Sequence, residues 1–130
     1  AQLRDREGVR ATGWISDSEL QQIFERSALY VMPATYEPWG LSYLEALACR
    51  TPVMGLERGA VPEITQNGRY GFVLPVETSA DGLAANLLQA LSNPERLSQM
   101  GSEGQRYCLD RYQWSAVARR MTGIISASMA

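Results

Sequence analysis

Two glutamates, Glu37 and Glu45, stand eight positions apart on either side of a Gly-Leu-Ser start to an apolar run. Between them Gly40 has no side chain, so a bulky anion could approach the backbone N–H groups of Gly40, Leu41 and Ser42. Where a helix begins, such N–H groups lack intrahelical partners, and the helix dipole favours phosphate. Pro38 biases Glu37 towards an extended backbone just before that helix. Wound as a helix, the run sets Glu45 about 40° from Leu41, beside Leu44 and Ala48, at the edge of the inward face. A carboxylate there needs hydrogen-bond donors. Two sugar hydroxyls would supply them. Phosphate at the helix start, a diol against Glu45 and a second polar partner for Glu37 together describe a nucleotide diphosphate sugar. The same residues admit a plainer reading, with Glu37 a solvated loop residue and Glu45 a helix-edge charge paired with an arginine.

The elements that must position these residues follow from pattern. Val9–Ile15 has the character of a short strand ending in Thr12-Gly13-Trp14. Ser16 and Glu19 then form a capping box, and Leu20, Ile23 and Phe24 recur at helical spacing to about Ser27. Ala28–Met32 is a continuous apolar run stopped by Pro33, the mark of a strand covered on both faces. A loop to Trp39 leads to a helix over about Gly40–Arg50, and Pro52–Gly55 is a second buried strand. The loop Leu56–Ala60 precedes a brief helix near Val61–Gln66 and an Asn67-Gly68 turn. Gly71–Leu74 is a further strand. Helices are expected over Ala80–Leu91, from Pro94 to about Arg111, and from Trp114 onward, where Val117, Ala118, Met121, Ile124 and Ile125 have amphipathic spacing. Leu83, Leu87 and Leu91 read as core, Tyr107 and Trp114 as packing residues, and Leu3–Gly8 as the end of a helix begun upstream.

This order predicts an α/β, Rossmann-like three-layer domain: a short parallel sheet flanked by helices, with a helical C-terminus. In such sheets ligands bind beyond the carboxyl ends of the strands. The loops Gly13–Ser16, Pro33–Gly40 and Gly55–Ala60 are therefore the ones to read for chemistry.

Composition excludes other classes. The 130 residues suit one domain, and 45% apolar with 20% charged residues is a globular balance. A net charge of −2 gives no field to gather nucleic acid. Without histidine, Ser–His–Asp and Cys–His catalysis are closed to this chain. Cys49 and Cys108 read as buried apolar residues of a reducing compartment.

The segment Glu37-Pro38-Trp39-Gly40-Leu41-Ser42-Tyr43-Leu44-Glu45-Ala46-Leu47-Ala48 resembles the signature of family 4 glycosyltransferases, retaining enzymes of the two-domain B-type fold. The resemblance continues through Val9–Ile15, Thr51-Pro52-Val53-Met54, Gly59–Ile64, Asn67-Gly68, Gly71–Leu74 and Tyr112–Ser115, in order and over nearly the whole chain. It implies the C-terminal, donor-binding half of such an enzyme. Glu37 would be the catalytic residue, touching donor-sugar hydroxyls or lying near the anomeric carbon. Gly40 and Leu41 would hold the diphosphate, Glu45 the ribose diol, and Trp14 and Ile15 would flank the base. Trp39, Gly59 and Ala60 would shape the sugar pocket. No cofactor and no metal is implied, because helix dipoles and basic side chains balance the diphosphate.

Four departures from the family pattern stand out, that at Trp39 the mildest. The family's diphosphate-gripping Arg and Lys would lie upstream of Ala1. Ala60 stands where a second glycine is frequent, and Trp39 replaces the usual Phe. Arg50 replaces a glycine just after the motif helix; it is expected to reach back to the helix carbonyls rather than take a left-handed conformation.

The partners implied are a nucleotide sugar, an N-terminal domain of the same protein, and an acceptor sugar or lipid-linked sugar. Self-association of the chain alone is expected as well. The location implied is cytoplasmic, with a membrane-peripheral parent as a further option and Arg119-Arg120 a solvated face. Two other classes stay open: a non-catalytic nucleotide-sugar-binding module and a Rossmann-like interaction domain with structural glutamates.

Overall fold

A computed structural model describes residues 7–129. Most of the helix end expected over Leu3–Gly8 lies outside the described residues. Strands and helices alternate as α1 (Asp17–Arg26), β1 (Tyr30–Met32), α2 (Leu41–Ala48), β2 (Val53–Leu56), α3 (Val61–Ile64) and β3 (Gly71–Leu74). Three helices complete the fold: α4 (Ala80–Leu91), α5 (Pro94–Tyr112) and α6 (Trp114–Ser128). The strands form one parallel sheet in the order β1-β2-β3, with Val31 opposite Met54 and Met54 opposite Phe72. The α/β architecture expected from the pattern is thus the one formed.

Alternation along β2 divides the core between two layers. Val53 joins Phe24, Tyr43, Leu47, Val61, Ile64 and Cys108 on one face, beneath α1, α2, α3 and α5. Met54 and Leu56 join Leu74 and Ala90 on the other, with Leu83 and Leu87 of α4 packed against them. Leu47 and Tyr43 are fully enclosed. Helix α5 crosses α2 closely because Gly101 and Gly104 have no side chains; a Cβ would overlap the Arg50 carbonyl at the first and press on Leu47 at the second.

The caps follow local chemistry. Ser16 and Glu19 close the expected capping box, the Ser16 N–H donating to Glu19 Oε2 at 2.9 Å. At the far end of α2, Thr51 N–H donates to the Ala46 carbonyl and Arg50 N–H to that of Leu47, a Schellman closure with Arg50 at φ 64°. Here the expectation for Arg50 is overturned. Its guanidinium turns to Gln105 Oε1 at 2.8 Å, and the amide of Gln105 reaches the Ala48 carbonyl instead, at 2.7 Å.

Other differences have physical reasons too. Val9–Ile15 forms no strand among the described residues, since a strand needs a neighbour to pair with and these residues run outside the sheet. The loop Gly13–Ser16 therefore follows no strand. Leu91 is exposed because the sheet-facing line on α4 runs Leu83, Leu87, Ala90, closer to the 3.6-residue period. Trp114 is not a packing residue: it is 88% exposed. On α6 the buried residue is Ala116, and the stripe Trp114, Met121, Ile124 and Ile125 faces solvent.

Candidate functional site

The loop from Pro33 to Gly40, after β1, and the loop from Glu57 to Ala60, after β2, lie side by side beyond the carboxyl ends of their strands. Glu37 ties them together. Its backbone carbonyl accepts from the Ala60 N–H at 2.9 Å. Its carboxylate Oε1 accepts from the N–H groups of Gly40 at 2.8 Å and Trp39 at 3.3 Å. Both glycines here are required by conformation and by space. Gly40 sits at φ 68°, where a Cβ would overlap the Ile64 side chain; Gly59 sits at φ 58°, where a Cβ would overlap the Glu37 carbonyl.

The start of α2 is fastened from below. Tyr43 is fully buried and its hydroxyl donates to the Met32 carbonyl at the end of β1. Burial first, then the nearby Tyr30 and Glu37, push that hydroxyl far above the ordinary tyrosine value, so it stays a protonated donor. Tyr30 donates to Ser42 Oγ at 2.9 Å and meets Tyr43 edge to face at 5.5 Å. The N–H groups of Leu41 and Ser42 enter no hydrogen bond among the described residues. They are the unpaired donors that any helix start presents.

Of the residues singled out from sequence, Glu37, Trp39, Gly40, Leu41, Gly59 and Ala60 come together on this rim. Glu37 is partly buried, whereas Trp39 and Leu41 are exposed. Glu45 lies on the next turn of α2, exposed, in a groove of about 470 Å³ shared with Asp17, Leu20 and Phe24 of α1. Trp14 and Ile15 line a separate hollow of about 670 Å³ with Gln22, Ile23 and Arg26. Gln22 and Arg26 are on the opposite side of α1 from Leu20 and Phe24, and Ile23 lies between the two sides. The rim residues and Glu45 are thus neighbours along one helix, and Trp14 stands apart from both.

Two contacts had no counterpart in the sequence reading. One is the carboxylate of Glu37 on the Gly40 N–H; an acceptor three residues before an unpaired helix start is its visible signal. The other is Tyr43, whose apolar spacing hid a polar tip. A further hollow of about 650 Å³, lined by Arg69, Tyr70, Arg106, Tyr107 and Arg120, precedes β3 and so lies at the amino edge of the sheet. It is roomy, but it is remote from the loops where backbone donors and the two glutamates gather.

The chain is similar to known proteins over most of its length. The chain is 30% identical over 130 residues to the alpha-maltose-1-phosphate synthase of Mycobacterium tuberculosis (strain ATCC 25618 / H37Rv), covering 93% of the chain and 33% of that protein. It is 33% identical over 90 residues to the GDP-mannose-dependent alpha-(1-6)-phosphatidylinositol monomannoside mannosyltransferase of Mycolicibacterium smegmatis, covering 69% of the chain and 23% of that protein. Among solved structures, sucrose-phosphate synthase from Thermosynechococcus elongatus superposes with a TM-score of 0.79 at 26% identity, over 91% of this chain and 29% of that one. The chain therefore spans about a third or less of the length of these relatives. The model of the glycosyl transferases group 1 matches residues 1–123. By that match the chain belongs to the glycosyl transferases group 1 family.

Proposed function

We propose that the chain is the donor-binding part of a retaining, family 4 glycosyltransferase of the two-domain B-type fold. It takes up a nucleotide diphosphate sugar, and the rest of a longer polypeptide supplies the acceptor site. In the reaction the bond from the anomeric carbon to phosphate oxygen is exchanged for one to an acceptor hydroxyl, with configuration kept. Nucleoside diphosphate and a proton are released.

The observation that carries this reading is the meeting of Glu37, Gly40 and Leu41 with Gly59 and Ala60 beyond the carboxyl ends of β1 and β2. The diphosphate takes the N–H groups of Leu41 and Ser42. The donor sugar lies against Trp39, Gly59 and Ala60. Glu37 is assigned the role next to the reacting carbon: its Oε1 is fixed by Gly40 and Trp39, and Oε2 faces the sugar hydroxyls. Glu45 holds the ribose diol one turn further on, and the backbone of Trp14 and Ile15 flanks the base. No metal is assigned, because backbone donors and arginine neutralise the phosphates. Relatives named for making a maltose phosphate and for transferring mannose support the class of reaction. The acceptor is a sugar or a lipid-linked sugar, and the location is cytoplasmic. Among the described residues no helix is long and apolar enough to cross a membrane.

The test is ligand-observed NMR of the chain against UDP, GDP and ADP and their glucose or mannose conjugates, with Glu45→Ala alongside. Expected are signals for one nucleotide, with affinity roughly in the 0.1–10 mM range, lost in Glu45→Ala and unchanged by a chelator. Signals that survive Glu45→Ala would remove the ribose assignment. No signal from any nucleotide would overturn the donor-site reading of this chain.

A further inference from the structure

The first turn of α2 carries the rim described above, yet it lacks the device that holds the starts of α1, α4 and α5. Those helices are capped by Ser16, Ser79 and Asn93, whose side chains accept from the N–H groups of Glu19, Gly82 and Arg96. Gly40 has no side chain to cap α2, and the first turn has no acidic residue to answer the dipole. Glu37 stops short, since its carboxylate accepts from Trp39 and Gly40 only. A helix of eight residues left in this way should fray from its start. Fraying there would carry the Gly40 N–H away from Glu37.

What holds the turn comes from the side. Tyr43 is fully buried, and its hydroxyl donates to the carbonyl of Met32, the last residue of β1. Tyr30, on the same strand, donates to Ser42 Oγ at 2.9 Å. Both rings are seated in the core: Phe24 meets Tyr30 edge to face at 5.4 Å, and Tyr30 meets Tyr43 in the same way at 5.5 Å. The bond from Tyr43 to Met32 joins the two ends of the loop 33–40, which contains Glu37. That loop is therefore closed at its base, besides being tied to the Ala60 N–H through the Glu37 carbonyl. Two hydroxyls thus do the work of a cap without occupying the Ser42 N–H, one of the donors a capping side chain would take.

We propose that Tyr43 is a positioning residue for the donor site: by its bond to the Met32 carbonyl it sets the loop that aims Glu37 at the donor sugar. Tyr30 supports it through Ser42. The inference rests on the donor-site reading above and adds what keeps that geometry in place. Tyr43 works from inside the core, out of reach of any ligand, so its effect passes through Glu37.

The experiment compares three variants that each lose one hydroxyl. Tyr43→Phe frees the Met32 carbonyl, and Tyr30→Phe frees Ser42 Oγ. Tyr107→Phe is the control at the amino edge of the sheet, where the hydroxyl accepts from Gln66 Nε2 at 2.8 Å. The amide signals of Trp39, Gly40 and Ala60 are followed by NMR without ligand. Each chain is then titrated with UDP, GDP and ADP and with their glucose or mannose conjugates. Tyr43→Phe should shift these amides and weaken the sugar conjugate about fivefold relative to its bare nucleoside diphosphate, the scale of one hydrogen bond. Tyr30→Phe should act in the same direction and less, and it carries the test if Tyr43→Phe does not fold. Tyr107→Phe should move neither readout. A Tyr43→Phe chain that loses stability but keeps the amide signals and the ratio of the two affinities would overturn the proposal, because the hydroxyl would then be structural only. Equal effects from Tyr107→Phe would overturn it too. A starting chain that binds no nucleotide would defeat the donor-site reading alone, and the amides of Trp39, Gly40 and Ala60 would still decide whether Tyr43 sets the loop.

Discussion

Glutamine in place of Glu37 keeps an acceptor oxygen where Gly40 and Trp39 donate, while alanine removes it and leaves two N–H groups at the helix start without their partner. Glu37→Ala should therefore lower stability by about 1 kcal/mol, on the scale of a lost helix cap, and Glu37→Gln by clearly less. Urea unfolding of the two variants checks this. Equal losses would show that charge rather than the bond is what the loop uses. Donor binding separates a second role: if Oε2 receives sugar hydroxyls, Glu37→Gln should keep stability yet weaken the sugar conjugate relative to the bare nucleotide. Sequence showed Glu37 and Glu45 as candidates because their spacing around a glycine could be read locally. It did not show that Glu37 bonds Ala60, since a contact across 23 positions depends on how two loops meet and leaves no mark in either one.

At the scale of elements, apolar periodicity and cap residues located the helices and strands to within a few positions, because those signals are local. It failed where an element depends on a neighbour. Val9–Ile15 has the residues of a strand, yet pairing decides whether one exists. The stripe on α6 announced an amphipathic helix but not which way it turns, as spacing is the same whether the face meets its own domain or solvent. Two caps yield predictions. Arg50 holds a left-handed conformation that costs a side-chain-bearing residue about 1 kcal/mol, against one exposed bond to Gln105. Arg50→Gly should raise stability by up to about 1 kcal/mol in denaturant titration, and a loss would show that the Gln105 bond outweighs the strain. On α1, the Ser16 N–H and then the Ser16 hydroxyl hold the Glu19 carboxyl below its ordinary value. The folded state thus favours the ionised form, so this stabilisation is present at neutral pH and is lost as the pH falls through the carboxylate range. The Tm gap between the original chain and Glu19→Gln should narrow on acidification; a gap indifferent to pH would contradict the capping box.

At the scale of the molecule, a helix whose apolar face looks outward leaves surface that water does not favour. Met121 is 58% exposed and Ile124 69%, alongside Trp114. The chain by itself should self-associate, its weight-average sedimentation coefficient rising with concentration, and Ile124→Ser should reduce the rise. One clean monomer at all concentrations would refute this. The enclosed core sets a different kind of constraint. Tyr43 reaches Met32 through space that exists because residue 55 is a glycine: a Cβ there would overlap the tyrosine hydroxyl. The two positions should therefore change together or not at all. Alanine at 55 is closed to any lineage that keeps Tyr43, and a smaller residue at 43 must come first, leaving the Met32 carbonyl without its donor. The helix start that presents the site is thereby shielded from drift on its buried side, and diversity among related chains should gather instead at the exposed rim residues, Trp39 and Ala60 among them.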